Sequence, residues 1–314
     1  MNPLSSIFGV GVRARNFLYD RGVLPQRSLQ GPVVSVGNLS VGGAGKTPFV
    51  ILLGELLKAR GIKFDILSRG YRRKNQAISL VDESGSPRDF GDEPLLLTRR
   101  LQVPVIVGAD RHRAGLFAEK LFGPQLHLLD DGFQHRRLHR DFDIVIVTQE
   151  DLGGSLLPMG RLREPPSSLS RADAVALIND AQSEKISTAT KQVWRVQRGL
   201  RIANSPSRPI IFCGIARPKG FVRQLRAANI EPAGQIFFRD HHAYTGNDIR
   251  NLLSLRDQHR ADGFITTEKD AVNLHKHADA LQLVTIASVT MQLEESDNTL
   301  DTMLRIIAAR RQKA

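Results

Sequence analysis

The chain has 314 residues, of which 41% are hydrophobic, a length that allows about two globular domains with buried cores. Its 44 lysines and arginines outnumber its 32 aspartates and glutamates, and the net charge of +12 favours an anionic partner: nucleic acid, a membrane surface or a phosphorylated substrate. The single cysteine, Cys213, excludes an intrachain disulfide and a cysteine-based metal site.

Near the amino terminus, residues 4–24 combine apolar side chains with Arg13, Arg15 and Arg21. This composition suits a segment that lies among anionic lipid headgroups, and it suits a helix packed on the first domain almost as well. The sequence has no run of about 18 apolar residues and no cleavable signal peptide. It therefore predicts a cytoplasmic protein without a transmembrane helix.

Short apolar runs alternate with segments of helical periodicity along the rest of the chain, which is typical of an α/β protein. The predicted strands are Val33–Val36, Phe64–Leu67, Pro104–Val107, Leu126–Leu129, Asp143–Val147, Ala174–Ile178, Val193–Val196, Ile210–Cys213, Gln235–Phe238, Phe264–Thr266 and Leu283–Ile286. A linker at 204–209 predicts two domains, 1–205 and 206–314. The last predicted helix ends near Arg310 and Arg311, and the helix dipole accounts for these cations without a partner.

A glycine-rich loop separates the first predicted strand from the first predicted helix, the context that a Walker A phosphate loop requires. The loop reads Ser40-Val41-Gly42-Gly43-Ala44-Gly45-Lys46-Thr47. Backbone N–H groups of Gly42, Gly43, Ala44 and Gly45 would surround phosphate oxygens, Lys46 would reach the β- and γ-phosphates, and the Thr47 hydroxyl would bind Mg²⁺. Because Ser40 replaces the usual first glycine, the opening turn must avoid a strained conformation or use Gly42 for it. The loop predicts a P-loop NTPase-type domain with a mostly parallel sheet, followed by a smaller, Rossmann-like α/β domain.

Two acids, Asp130 and Asp131, follow a predicted strand, as expected of a Walker B segment that holds Mg²⁺ directly or through water. The alternative is two solvated acids in a turn. The segment Thr267-Glu268-Lys269-Asp270 is only superficially similar to the guanine-reading motif Asn-Lys-x-Asp, because Glu268 stands in place of the asparagine. ATP is therefore favoured over GTP.

A further carboxylate, Asp92, lies beside a predicted helix amino terminus, because Pro94 fits the first helical turn. Helix capping alone would explain an acid at this position. With a phosphate loop upstream, Asp92 is also a candidate general base for a substrate hydroxyl.

Clusters of arginine follow three predicted strands, at the edge of a parallel sheet where substrates bind. They are Arg69, Arg72 and Arg73 around Tyr71, then Arg111 and Arg113, then Arg136, Arg137 and Arg140. Arginine matches phosphate with two parallel hydrogen bonds, so the clusters favour an anionic substrate.

Taken in order, these segments resemble the tetraacyldisaccharide 4'-kinase family of lipid A biosynthesis. The matching segments are Ser35-Val36-Gly37-Asn38, the loop Gly42–Pro48, Leu67-Ser68-Arg69-Gly70-Tyr71, Gly91-Asp92-Glu93-Pro94, Asp130-Asp131-Gly132-Phe133-Gln134-His135, Leu156-Leu157-Pro158, Leu162-Arg163-Glu164-Pro165, Asp240-His241-His242 and Thr267-Glu268-Lys269-Asp270. The resemblance extends from about residue 30 to residue 275 and so covers both predicted domains.

The resemblance implies a Mg-ATP kinase that is peripheral to the cytoplasmic face of a Gram-negative inner membrane. Such a kinase transfers the γ-phosphoryl of ATP to the 4'-hydroxyl of tetraacyldisaccharide 1-phosphate and forms lipid IVA. The implied roles are catalysis for Asp92, His241 and Lys46; nucleotide binding for Gly42, Gly43, Ala44, Gly45, Lys46 and Thr47; metal or phosphate binding for Thr47, Asp130, Asp131 and Glu164; and substrate contact for Tyr71, Arg111 and Arg113. His242 is the alternative to His241, which would either orient Asp92 or receive the proton itself. A histidine from the second predicted domain implies a site that assembles when the domains close. No nucleic acid and no obligate protein partner are predicted.

Two other classes of protein share part of this pattern. A partitioning P-loop ATPase of the MinD/ParA type has a similar loop and acts on membrane or DNA, but it carries a lysine where this chain has Val41. A nucleic-acid-binding protein would account for the charge, but the chain is only 6% aromatic and has no aromatic-basic strand motif.

Overall fold

The computed structural model describes residues 3–179 and 192–313. The strands are β1 (Val33–Asn38), β2 (Phe64–Ser68), β3 (Ser79–Leu80), β4 (Val105–Val107), β5 (Leu126–Asp130), β6 (Phe142–Val147), β7 (Ala174–Ile178), β8 (Gln192–Ile202), β9 (Pro209–Cys213), β10 (Gly234–Phe237), β11 (Gly263–Thr267) and β12 (Val284–Leu293). The helices are α1 (Pro3–Asp20), α2 (Lys46–Ala59), α3 (Pro87–Phe90), α4 (Asp92–Leu101), α5 (Arg111–Phe122), α6 (Gln149–Leu152), α7 (Pro218–Ala227), α8 (Gly246–Gln258), α9 (Glu268–Leu274) and α10 (Ser296–Arg311), with 3-10 turns at Pro166–Arg171 and His275–Ala280.

Within the described residues, twelve strands form one sheet in the order β10-β9-β11-β12-β8-β7-β6-β1-β5-β2-β4-β3. The strands pair in parallel except at β8–β12 and β3–β4, which are antiparallel. The predicted α/β fold with a mostly parallel sheet is therefore confirmed. Because parallel strands end at the same edge of a sheet, the residues that follow β1, β2 and β5 come together there.

The phosphate-loop half of the molecule is built around β1 and α2. All six residues of β1 are buried, as expected for a central parallel strand with helices on both faces. Helix α2 buries Phe49, Leu53 and Leu57, a spacing of four residues that places them on one face, and these side chains join the largest apolar cluster. The chain leaves α2 through Gly61, whose φ of +69° favours glycine.

The last helix, α10, packs in this same core although it follows the smaller α/β part in the chain. Its buried side chains Leu300, Met303 and Ile307 belong to the largest apolar cluster, together with Phe49 and Trp194. The division into 1–205 and 206–314 stays a prediction, and α10 lies with the core of the first part.

The prediction that the cations at the end of α10 need no partner is wrong. Arg310 donates to Asp173 Oδ1 at 2.6 Å, and Arg311 donates to both carboxylate oxygens of Asp141, at 2.6 and 2.7 Å. Asp141 and Asp173 are buried just before β6 and β7. Buried carboxylates at these positions need cations, and the sequence pattern of the helix alone does not reveal them.

Helix α1 packs one face on the molecule and exposes another. Gly9, Val12 and Asn16 are buried, whereas the exposed apolar side chains are Leu4, Ile7, Val10, Phe17 and Leu18. The segment is thus a packed helix with an exposed apolar face, and its contact with lipid headgroups stays a prediction. Among the described residues, none of the helices combines the length and the apolar character needed to cross a bilayer.

Candidate functional site

The glycine-rich loop turns back from β1 into α2 through glycines with positive φ angles. Gly42, Gly43 and Gly45 have φ of +68°, +55° and +88°, so Gly42 takes the unusual conformation that Ser40 does not provide. Gly45 is the residue that precedes α2, and no side chain caps the helix there. The first N–H groups of α2 are therefore available to an anion at the positive end of the helix dipole.

A network of polar side chains holds the loop lysine at the carboxyl ends of β1 and β5. Lys46 donates to Asn38 Oδ1 at 3.1 Å and lies 3.5 Å from Asp131 Oδ1. Arg163 makes two hydrogen bonds to the Asp131 carboxylate, at 2.7 and 3.0 Å, and a third to Asn38 at 2.6 Å. Burial opposes the charge of Asp131, but Lys46 and Arg163 outweigh it, so the pKa of Asp131 is lowered and the side chain is anionic.

The neighbouring Asp130 has the opposite electrostatic environment. Asp130 is buried, and this burial is the main reason that its pKa is raised to about 7. The negative charges of Glu93 and Asp131 raise the pKa further. Ser68 donates to Asp130 Oδ2 at 3.1 Å, while Oδ1 has no hydrogen-bond partner among the described residues. An unpartnered buried carboxylate oxygen at this edge is the kind of group that a cation satisfies.

The structure places Asp92 against His241, although the two are 149 residues apart in the chain. His241 Nδ1 lies 2.9 and 2.8 Å from the two Asp92 carboxylate oxygens. His242 instead contacts Asp248 at 3.1 Å and stacks on Phe238, so the structure distinguishes the two histidines. The pair expected to form on domain closure is thus assembled in this conformation.

Asp92 is held in its charged form by several donors. Burial opposes the charge, but hydrogen bonds from His241 and Asn273 and the ammonium of Lys269 lower the pKa of Asp92. The backbone N–H of Glu93 also donates to Asp92, at 2.9 Å. The carboxylate is therefore a weak base with a fixed orientation.

One cavity of about 590 Å³ joins the phosphate loop to His241, the partner of Asp92. Lys46 and Thr47 line it on one side, and His241 and Lys269 line it on the other. Arg217, which lies against Gly43 and pairs with Glu150 at 2.8 Å, closes part of the wall. A phosphorylated ligand on the loop and a hydroxyl near His241 would share this space.

The predicted substrate-contact residues take different positions. The ring of Tyr71 is half-exposed and lies 5.2 Å from that of His241. Arg111 is buried, and burial lowers its pKa to about 10 against the opposing effect of Asp130 and Asp131. Arg113 lines a separate groove of about 550 Å³ and is not brought into the main cavity.

The predicted metal residues form no cluster of carboxylates. The Glu164 carboxylate is fully buried and accepts hydrogen bonds from Asn16 and Arg171, each at 2.7 Å. These contacts join Glu164 to α1 and to the Pro166–Arg171 turn. In the described part of the chain, no three His, Cys, Asp or Glu side chains come together as a ready-made metal site. A P-loop site does not need one, because nucleotide phosphates and Thr47 supply ligands there.

A family model for tetraacyldisaccharide-1-P 4'-kinase matches residues 1–308 of the chain. The chain belongs to this family. The tetraacyldisaccharide 4'-kinase of Koribacter versatilis is 48% identical over 320 residues and 99% of each chain, and that of Geobacter metallireducens is 36% identical over 92% of each chain. The crystal structure of "apo" form LpxK from Aquifex aeolicus in complex with ATP matches with a TM-score of 0.79 and 34% identity, over 97% of this chain and 98% of that one.

The family resemblance predicted from the motifs is thereby confirmed, and the structure adds residues to which the sequence reasoning gave no role. They are Asn38, Arg163, Arg217, Lys269 and Asn273. Three of them, Asn38, Arg163 and Lys269, lie within segments that carry the resemblance to the tetraacyldisaccharide 4'-kinase family, and that was the available signal. Asn273 lies one turn after Lys269 on α9 and carries no signal of its own.

Proposed function

We propose that this protein transfers the γ-phosphoryl group of Mg-ATP to the 4'-hydroxyl of tetraacyldisaccharide 1-phosphate and forms lipid IVA. The observation that carries the proposal is the single cavity lined by the phosphate loop and by His241, the partner of Asp92. Family membership identifies the acceptor class. The cavity explains how a nucleotide and an acceptor hydroxyl meet.

The phosphate loop fits ATP. Its positive-φ glycines direct backbone N–H groups inward, and the uncapped start of α2 provides further donors to phosphate oxygens. Lys46 reaches the β- and γ-phosphates, where its charge stabilises the developing negative charge. Asp131 and Asn38 hold this ammonium in place before the nucleotide arrives.

Magnesium fits the residues beside the loop. The Thr47 hydroxyl and the unpartnered Oδ1 of Asp130 are hard oxygen donors of the kind that Mg²⁺ prefers, and Asp131 adds negative charge next to them. When bound, Mg²⁺ neutralises charge on the β- and γ-phosphates. Side chains and backbone groups of the protein bind the nucleotide, orient the acceptor hydroxyl and accept its proton.

Asp92 is the proposed base. The O–H bond of the 4'-hydroxyl breaks, and its proton moves to the Asp92 carboxylate. The hydroxyl oxygen forms the new bond to the γ-phosphorus, while ADP leaves with the electron pair of the broken P–O bond. A weak base suffices because phosphoryl transfer passes through a loose transition state in which the hydroxyl loses its proton late. His241 orients the carboxylate through Nδ1.

The acceptor is amphipathic, and we place the protein on the cytoplasmic face of the inner membrane through α1. The exposed apolar side chains of α1 and the nearby Arg13 and Arg21 suit an interface with anionic headgroups. Sedimentation with vesicles of anionic phospholipid tests this placement. Protein that stays entirely in the supernatant would contradict it.

The reaction is tested by transfer of labelled γ-phosphate from Mg-ATP to tetraacyldisaccharide 1-phosphate in mixed micelles. We expect product from the unmodified protein and a loss of about 10²- to 10⁴-fold in kcat for Asp92→Asn, the range for a removed general base. Asp89→Asn, at an exposed acid three residues away, is the matched control and should leave kcat unchanged. No product from a folded, ATP-binding protein would overturn the proposal and favour the partitioning ATPase. Product from Asp92→Asn at the normal rate would leave the kinase but remove Asp92 as its base.

A further inference from the structure

Two arginines from the later part of the chain line the main cavity together with the phosphate loop. Arg198 lies on β8, and Arg217 is the residue that precedes α7. Arg217 lies directly against the loop, since a Cβ on Gly43 would be 3.0 Å from its Nε and 3.1 Å from its Cδ. Both residues therefore border the cavity in which phosphate would lie, although the proposed transfer gives neither a role.

Neither guanidinium group has a full set of acceptors. The Nε atom of each is buried without a hydrogen-bond partner among the described residues. Arg217 pairs with Glu150 at 2.8 Å, whereas no carboxylate of the described chain pairs with Arg198. Burial, followed by the positive charge of Arg217, lowers the pKa of Arg198. Unpartnered cations that repel each other in one cavity are the kind of groups that an anion satisfies.

The acidic side chains that line the same cavity are paired elsewhere, with one exception. Glu93 and Asp240 both pair with Lys269, and a third acid, at the start of α9, pairs with an arginine of α4. In the described part of the lining, Glu150 is thus the acid left to balance the two arginines, and it is 63% exposed. One exposed carboxylate faces two cations, so this wall of the cavity keeps a net positive charge.

We propose that Arg198 and Arg217 bind the phosphate chain of the nucleotide, and that Arg217 exchanges Glu150 for a phosphate oxygen when the nucleotide enters. The planar guanidinium group presents fixed donors that match phosphate oxygens. The contact of Arg217 with Gly43 favours the phosphates on the loop over the phosphate of the acceptor. The inference deepens the proposed function and rests on it for the identity of the nucleotide, whereas the anion site rests on the contacts alone.

The first test measures ATP binding by calorimetric titration with Mg²⁺ and without acceptor, in Arg198→Met and Arg217→Met. We expect the Kd for ATP to rise about tenfold in each, because a hydrogen bond to a charged group contributes free energy of that order. Arg195→Met, at an exposed arginine of β8, and Arg226→Met, at an exposed arginine of α7, are the matched controls and should leave the Kd unchanged. Arg198→Lys keeps the charge on β8 and should weaken binding by less than about threefold.

A second titration uses inorganic tripolyphosphate, which carries the phosphates of ATP without the nucleoside. If Arg198 and Arg217 contact phosphate, their methionine variants should weaken tripolyphosphate binding by the same factor as ATP binding. A role in folding or in holding the base would not produce this agreement.

Glu150→Gln should have the opposite effect. It removes the carboxylate that Arg217 must leave, so ATP binding should tighten by up to about fivefold, the range for an exposed ion pair. In the double variant Arg217→Met with Glu150→Gln, this gain should disappear, because Glu150 acts through Arg217. Glu231→Gln, at an exposed acid that pairs with Arg226, is the control and should leave the Kd unchanged.

An unchanged Kd for ATP in Arg198→Met and Arg217→Met would overturn the proposal. Weaker binding of ATP without weaker binding of tripolyphosphate would also overturn it, because the arginines would then contact the nucleoside. A normal Kd for ATP with a raised KM for the acceptor would assign them to the acceptor phosphate instead. If the unmodified protein binds ATP and tripolyphosphate but makes no product, the proposed function fails, while the Kd values still decide the role of the two arginines.

Discussion

Replacement of Arg311 by methionine should destabilise the fold strongly, although the residue lies far along the chain from the phosphate loop. Its guanidinium makes two hydrogen bonds to the Asp141 carboxylate, which is 2% exposed and also accepts the backbone N–H of Val33 at 2.8 Å. Without Arg311, this carboxylate keeps one donor and loses its cation. Breaking a buried ion pair by removing one partner costs about 3–5 kcal/mol. Because Arg311 is partly exposed, we expect the free energy of unfolding to fall by about 3 kcal/mol.

The single tryptophan makes the assay direct. Trp194 is buried between Phe49 and Phe142, with ring centroids 6.4 and 5.9 Å away, in the core that α10 helps to fill. Urea unfolding followed by its fluorescence therefore reports the loss of that core. Arg305→Met, on the exposed face of the same helix, is the control and should change stability by less than about 0.5 kcal/mol. Equal stability of Arg311→Met and the unmodified protein would refute the reasoning that Asp141 needs this cation.

Two further predictions concern the site. His241→Gln removes the strongest of the contributions that lower the pKa of Asp92, so this pKa should rise and activity should begin to fall at a higher pH as the solution is acidified. His242→Gln is the control. Identical pH profiles of kcat/KM for the unmodified protein and both variants would contradict the partnership of His241 with Asp92. Gly43→Ala places a side chain on a residue whose φ is +55°, with the new Cβ 3.0 Å from a guanidinium nitrogen of Arg217. In a calorimetric titration, we therefore expect the Kd for ATP to rise about tenfold, which corresponds to about 1.4 kcal/mol of strain. Gly11→Ala, with open space around it, should bind ATP normally in the same calorimetric titration.

The central strands could be predicted from sequence because their residues are apolar on both faces. The predicted Val33–Val36 and Ala174–Ile178 agree with β1 and β7 to within two residues. The antiparallel pair was predicted too short, since β8 continues to Ile202 through a run in which a glutamine, two arginines and a glycine interrupt the apolar residues. Such a run resembles a solvated loop until its partner strand β12 is known.

The site was predictable where one segment carries the whole signal, as in the loop that contains Lys46. The partnership of Asp92 with His241 depends on the fold, and the sequence alone supplied it only through family resemblance. Lys269 had no predicted role because the four side chains that its ammonium contacts lie in two other segments of the chain. Buried ion pairs such as Arg311 with Asp141 cannot be predicted from helical periodicity for the same reason. The periodicity predicts the helix, but it does not identify the distant carboxylate that the helix contacts.

The position of α10 bears on how the protein is made. Domains generally fold as units from the amino terminus during synthesis. Here the helix that supplies Leu300, Met303 and Ile307 to the first core is synthesised only after the whole smaller α/β part. A nascent chain that has reached residue 205 holds the complete phosphate loop but lacks the side chains that close the core beside it. The core of the nucleotide-binding half is therefore completed only once α10, which follows the half that carries His241, has been synthesised.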